Sequence, residues 1–96
     1  MKTVRLTETF SDWVANLRDR RSAGRIAVAV EKLRFGLGDV EPVGDGVSEL
    51  RLHFGAGYRV YFVTRGRTVI VVLCAGDKSS QSRDIKEAKR IANLLE

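Results

Sequence analysis

Cysteine, histidine, proline and tryptophan each occur once in the 96 residues. The single Cys74 excludes an internal disulfide framework, and one Cys with one His cannot build a zinc site by themselves. The longest apolar run, residues 69–75, falls far short of the roughly 20 residues that span a bilayer. The first eight residues, Met1-Lys2-Thr3-Val4-Arg5-Leu6-Thr7-Glu8, lack the apolar stretch of a secretory signal. A cytoplasmic protein with no membrane association is the expectation. Neither nucleotide-binding fingerprint is present: Gly36-Leu37-Gly38 has no third glycine at the required spacing, and no Gly-Lys-Ser/Thr triplet exists. No small-molecule cofactor and no metal are expected, and no nucleophile-elbow sequence accompanies His53.

What is present is a basic chain with an adequate core. Seventeen Lys and Arg against twelve Asp and Glu give a formal charge of +5 and a pI near 9.9, with 44% hydrophobic residues. A chain of this length holds one core, so residues 1–96 read as a single domain. The charge has two readings, ordinary solubility or an electrostatic footprint for phosphate, and the position of the cations decides between them.

Periodicity orders the elements. Val4 and Leu6 alternate with polar neighbours in a first strand. Phe10, Trp13, Val14 and Leu17 then follow helical spacing, with Thr9 as the expected N-cap. Ile26, Val30, Leu33 and Leu37 mark a second helix, with Ser22 as its expected cap. Six of the nine glycines and the one proline lie in residues 36–57, which reads as loop. Three strand-like runs follow at residues 48–54, 57–64 and 68–75, and Ile85, Ala88, Ile91, Ala92 and Leu95 mark a last helix. The order βααβββα is α+β, with helices packed on a small, mainly antiparallel sheet.

Alternation along these strands assigns faces. Leu50, Leu52 and Phe54 point one way with Tyr58, Val60 and Phe62, and Glu49, Arg51 and His53 point the other way with Arg59 and Tyr61. A three-residue loop at 55–57 pairs His53 with Arg59 and Arg51 with Tyr61. The two arginines can then offer paired donors to a phosphodiester. His53 is the residue type that exchanges a proton near neutral pH, and Tyr61 can stack on a base or donate to a phosphate oxygen. Lys78 and Arg83, beside the start of the last helix, extend the patch. An ordinary solvated sheet face explains each residue singly; the cluster is harder to explain without a ligand. Asp39, Glu41, Asp45 and Glu49 read as loop carboxylates that solvate the turn region. Phe10, Trp13 and Phe35 read as packing, Arg18, Arg20, Arg21 and Arg25 as a solvated corner, and Cys74 as a small buried hydrophobe.

Three stretches carry a family likeness: Gly44-Asp45-Gly46-Val47-Ser48-Glu49-Leu50-Arg51, then Gly57-Tyr58-Arg59-Val60-Tyr61-Phe62, then Leu73-Cys74-Ala75-Gly76-Asp77-Lys78-Ser79-Ser80-Gln81 with Asp84, Ile85 and Ala88. Together they resemble the HigB-like addiction module killer proteins of the RelE/ParE toxin superfamily. The resemblance spans essentially the whole chain. It implies the toxin of a type II toxin-antitoxin module, with a helix-turn-helix antitoxin as partner and ribosome-dependent, metal-independent cleavage of mRNA as its activity, which inhibits translation and arrests growth. By position it implies Arg51, Arg59 and Lys78 as catalytic cations, and Tyr61 and Arg83 as RNA contacts. Several members carry a catalytic Tyr or His near the C-terminus, whereas this chain ends Ile91-Ala92-Asn93-Leu94-Leu95-Glu96. Either His53 takes that role, or Lys78 and the arginines move the protons themselves. The ParE branch implies a different activity, inhibition of DNA gyrase, and a non-catalytic RNA- or partner-binding module is the third reading.

Overall fold

A computed structural model describes residues 1–95. Strand β1 (Thr3–Leu6) leads into helices α1 (Glu8–Ala15) and α2 (Arg20–Lys32), which a 3-10 turn at Leu33–Phe35 extends. Strands β2 (Asp39–Gly44), β3 (Val47–Arg51), β4 (Arg59–Arg65) and β5 (Val69–Gly76) follow, then a 3-10 turn at Lys78–Ser80 and helix α3 (Gln81–Leu94). The five strands form one sheet in the order β1-β5-β4-β3-β2. Only β1 and β5 run parallel; the other neighbours are antiparallel. The α+β class with a mainly antiparallel sheet is as expected, but the order is βααββββα, because β2 occupies what reads as loop.

Local chemistry explains the boundaries. The cap of α1 is Thr7, not Thr9: its hydroxyl oxygen accepts from the Phe10 amide and its own hydroxyl donates to the Leu73 carbonyl at 2.7 Å. The cap of α2 is Asp19, not Ser22, and Ser22 supplies the amide and hydroxyl that Asp19 accepts. Arg20 of the expected solvated corner donates to the carbonyls of Val14, Ala15 and Leu17, satisfying the end of α1. The second helix stops before Leu37, which is exposed, and Phe35 is 60% exposed rather than packed. The β2–β3 turn passes through Asp45 and Gly46, both with positive φ (55° and 78°), the geometry that a two-residue hairpin of this twist demands.

Both faces of the sheet are covered. Phe10, Ile26, Val30 and Leu33 from the first two helices pack on Leu50, Val60, Phe62, Ile70 and Val72. On the other face α3 lays Ala88, Ile91 and Ala92 against Val47, Tyr61, Val63, Leu73 and Cys74. A bulge in β5 lets adjacent Leu73 and Cys74 share that second core: Tyr61 pairs with Cys74 while Phe62 pairs with Val72. Burial of Cys74 is as expected.

Candidate nucleic-acid interface

The register of β3 on β4 differs from expectation by two residues. Arg51 pairs with Arg59 and Glu49 with Tyr61, where alternation with a three-residue loop puts Arg51 beside Tyr61 and His53 beside Arg59. The Leu52 amide donates to the Tyr58 carbonyl, so the connection is the longer loop 53–57. A slip of two preserves every face, and the same residues therefore point toward α3. What changes is depth.

One row across the sheet is Arg51, Arg59 and Gly76; the next row inward is Glu49, Tyr61 and Cys74. The inner row lies under α3. Tyr61 is fully buried, and its hydroxyl donates to Glu49 Oε2 at 3.0 Å, so its ring is not open to a nucleobase and the stacking role expected of it is corrected. Burial first, then the Glu49 hydrogen bond and charge, push the Tyr61 phenol far up, keeping it a donor. Glu49 is no loop carboxylate: it is 3% exposed and also accepts from Gln81 Nε2 at 2.9 Å. Arg59 Nε lies 3.7 Å from the same Glu49 oxygen, with the Arg59 side chain 15% exposed. The buried carboxylate thus anchors an arginine whose position opens toward the sheet end.

The outer row meets the surface where loop 53–57 and the turn before α3 touch. Arg51 Nη2 lies between Asp39 Oδ1 at 3.4 Å and Glu41 Oε1 at 3.3 Å, two carboxylates from the unanticipated strand β2. His53 Nε2 lies 2.6 Å from Asp39 Oδ2, with the imidazole 75% exposed. The His53 hydrogen bond, against a smaller opposing desolvation effect and with a lesser contribution from Arg51, holds the Asp39 carboxyl below the usual carboxylate range. Lys78 joins the cluster from the other side. Its amide donates to the Ala56 carbonyl at 3.4 Å, and its stem lies against Gly57, where a Cβ would fall 3.3 Å from Lys78 Cβ. Lys78 is exposed and, among the described residues, has no ion-pair partner.

Gly76 completes the row by having no side chain. A Cβ there would fall 1.8 Å from Asp84 Oδ2, so the first turn of α3 seats its carboxylate directly over the strand, where Ser80 Oγ donates to it. Arg83 points outward, 82% exposed, with Nε 3.9 Å from Asp84 Oδ1, at the rim. Of the six residues singled out from sequence, Arg51, His53, Arg59 and Lys78 border the same loop end, Arg83 flanks it, and Tyr61 lies beneath. Sequence reasoning placed Asp39, Glu41 and Glu49 together as loop carboxylates and gave Asp84 no role at the site. The Asp45-Gly46 dipeptide between Val43 and Val47 was a hairpin signal that would have turned residues 39–44 into a strand.

The five-stranded sheet between an αα pair and a C-terminal helix aligns with the E. coli toxin RelE, solved as a double Arg-to-Ala mutant in the free state. The TM-score is 0.64 over 98% of each chain at 16% identity. The chain therefore shares the fold of RelE, as the sequence resemblance implies. An uncharacterized protein of Haemophilus influenzae is 41% identical over 93 residues, covering 96% of this chain and 94% of the relative. Residues 12–96 match the family described as phage derived protein Gp49-like (DUF891), and the chain belongs to that family.

Proposed function

We propose that the chain is the toxin of a type II toxin-antitoxin module, a HigB-like endoribonuclease that cleaves mRNA on the ribosome and is neutralised by a helix-turn-helix antitoxin. The observation that carries the reading is the outer row: Arg51 and Arg59 lie directly opposite one another on neighbouring strands, with His53 and the exposed Lys78 at the same sheet end. This supplies what cleavage by an internal nucleophile requires. The ribose 2'-oxygen attacks its own 3'-phosphorus, the P–O5' bond breaks, and a 2',3'-cyclic phosphate and a 5'-hydroxyl result. His53 takes the proton from the 2'-hydroxyl, Lys78 donates one to the departing 5'-oxygen, and the two guanidiniums stabilise charge on the non-bridging oxygens. Glu41 releases Arg51 to the phosphate while Asp39 keeps its contact with the guanidinium. These carboxylates nearly balance the cations locally, which favours a substrate delivered by the ribosome over free RNA captured by charge alone.

Induced expression should arrest growth and stop translation, and primer extension on mRNA from induced cells should show new 5' ends. Arg51→Ala, Arg59→Lys and Lys78→Ala should each relieve arrest in proteins whose circular dichroism is unchanged, the lysine keeping a cation beside the buried Glu49. Arrest by all three folded variants would exclude this site. DNA breaks with intact mRNA would instead identify the ParE-type activity on gyrase.

A further inference from the structure

We propose that Asp39 is the positioning residue of His53, fixing which imidazole nitrogen faces the RNA and tying the base to the phosphate-binding Arg51. The inference rests on the ribonuclease reading above and adds a residue to it. Its ground is one carboxylate with two engaged oxygens: Oδ2 is 2.6 Å from His53 Nε2, and Oδ1 is 3.4 Å from Arg51 Nη2.

An ionised carboxylate only accepts hydrogen bonds, so the ring nitrogen facing it carries the proton. That sets the Nε2–H tautomer and leaves the lone pair on Nδ1, the atom that takes the 2'-hydroxyl proton. His53 itself lies outside β3, on loop 53–57, and is mostly solvent-exposed; without a partner its ring samples several rotamers. Asp39 does not share that freedom, because it pairs with Arg51 in the β2–β3 ladder. The carboxylate thus transfers the rigidity of the sheet to a loop-borne imidazole, and its second oxygen ties the ring to the guanidinium that receives the phosphate. A base oriented by a third group in this manner is the arrangement that activates hydroxyl nucleophiles generally.

The test is single-turnover cleavage of ribosome-bound mRNA by the purified full chain. Asp39→Asn should lower the rate at saturating ribosomes about 10- to 100-fold, less than the roughly 100- to 10,000-fold that the general base itself supplies, and leave the half-saturating concentration unchanged. Asp39→Glu should recover part of the loss. His53→Ala should be slower still, and the Asp39→Asn/His53→Ala double variant no slower than His53→Ala alone, because residues acting as one unit are not additive. Because the chain has one histidine, its imidazole 15N shifts are unambiguous, and they should report the Nε2–H tautomer in the parent and a mixture of tautomers in Asp39→Asn. A wild-type rate in Asp39→Asn, or losses that multiply in the double variant, would overturn the positioning role alone. A wild-type chain that leaves ribosome-bound mRNA intact would overturn the ribonuclease reading and this inference with it.

Discussion

Glu49 and Arg59 form an ion pair at 3.7 Å beneath α3, with the carboxylate also receiving the Tyr61 hydroxyl and the Gln81 amide. Removing a buried charge's partner costs about 3–5 kcal/mol, because the charge left behind is uncompensated. Glu49→Ala should accordingly lower Tm by more than about 10 °C in a domain of this size. Glu49→Gln, which still accepts from Tyr61, should lose less, and the Glu49→Ala/Arg59→Ala double variant should lose less than the sum of the two single changes. Urea denaturation of the four proteins checks this, and simple additivity would exclude the coupling.

Gly76 is required by a neighbour rather than by its own dihedral angles. Gly76→Ala places a methyl carbon on the Asp84 carboxylate, which must then leave Ser80 and lift the first turn of α3. Overpacking of this kind costs about 1–3 kcal/mol. Thermal melts of Gly76→Ala should show the loss, and a concurrent Asp84→Ala change, which removes the obstruction, should restore much of it.

Burial, then the nearby Asp84 and Glu87 carboxylates, push the Cys74 thiol up to about 12 from an ordinary value of 9.0. The native protein should resist iodoacetamide at pH 8 and react once denaturant exposes the thiol. Because the folded value is the raised one, the stability this thiol contributes is full below pH 9.0 and declines as pH rises from there toward about 12. Cys74→Ala should show a flatter alkaline limb in denaturation midpoints; an identical limb would contradict the assignment.

Asp39 has the opposite sign. Its folded-state value is lowered, chiefly by the His53 hydrogen bond, from an ordinary 3.8. Its contribution is therefore present above pH 3.8 and lost as pH falls through the lower, folded value. Asp39→Asn should differ from the parent in denaturation midpoint at neutral pH and converge with it in acid. The difference should be small, since the pair is open to solvent and screened.

Which residues shared a face was legible in the sequence, and the reason is the period of two. A two-residue error in register left Arg51, Arg59, Glu49 and Tyr61 together on the correct side of the sheet. The depth of those residues was not legible. Alternation cannot say whether a polar face is open or covered, and α3, about thirty residues further on, covers Glu49 and Tyr61 while leaving Arg51 partly open. The β2 strand was hidden for a different reason: its glycine-flanked, proline-containing segment has weak intrinsic strand preference, and pairing with β3 supplies its order.

By itself, the sequence determined the α+β class, the helical stripes, the two-sided strands and the basic residues that share one face, because these follow from local period and residue chemistry. Only the tertiary structure decided that Tyr61 is a buried donor, that Glu49 is the anchor of Arg59, and that Asp39 reaches both Arg51 and His53. Each of those outcomes depends on a contact between segments distant along the chain, where strand pairing and helix coverage select among partners that local pattern leaves equivalent.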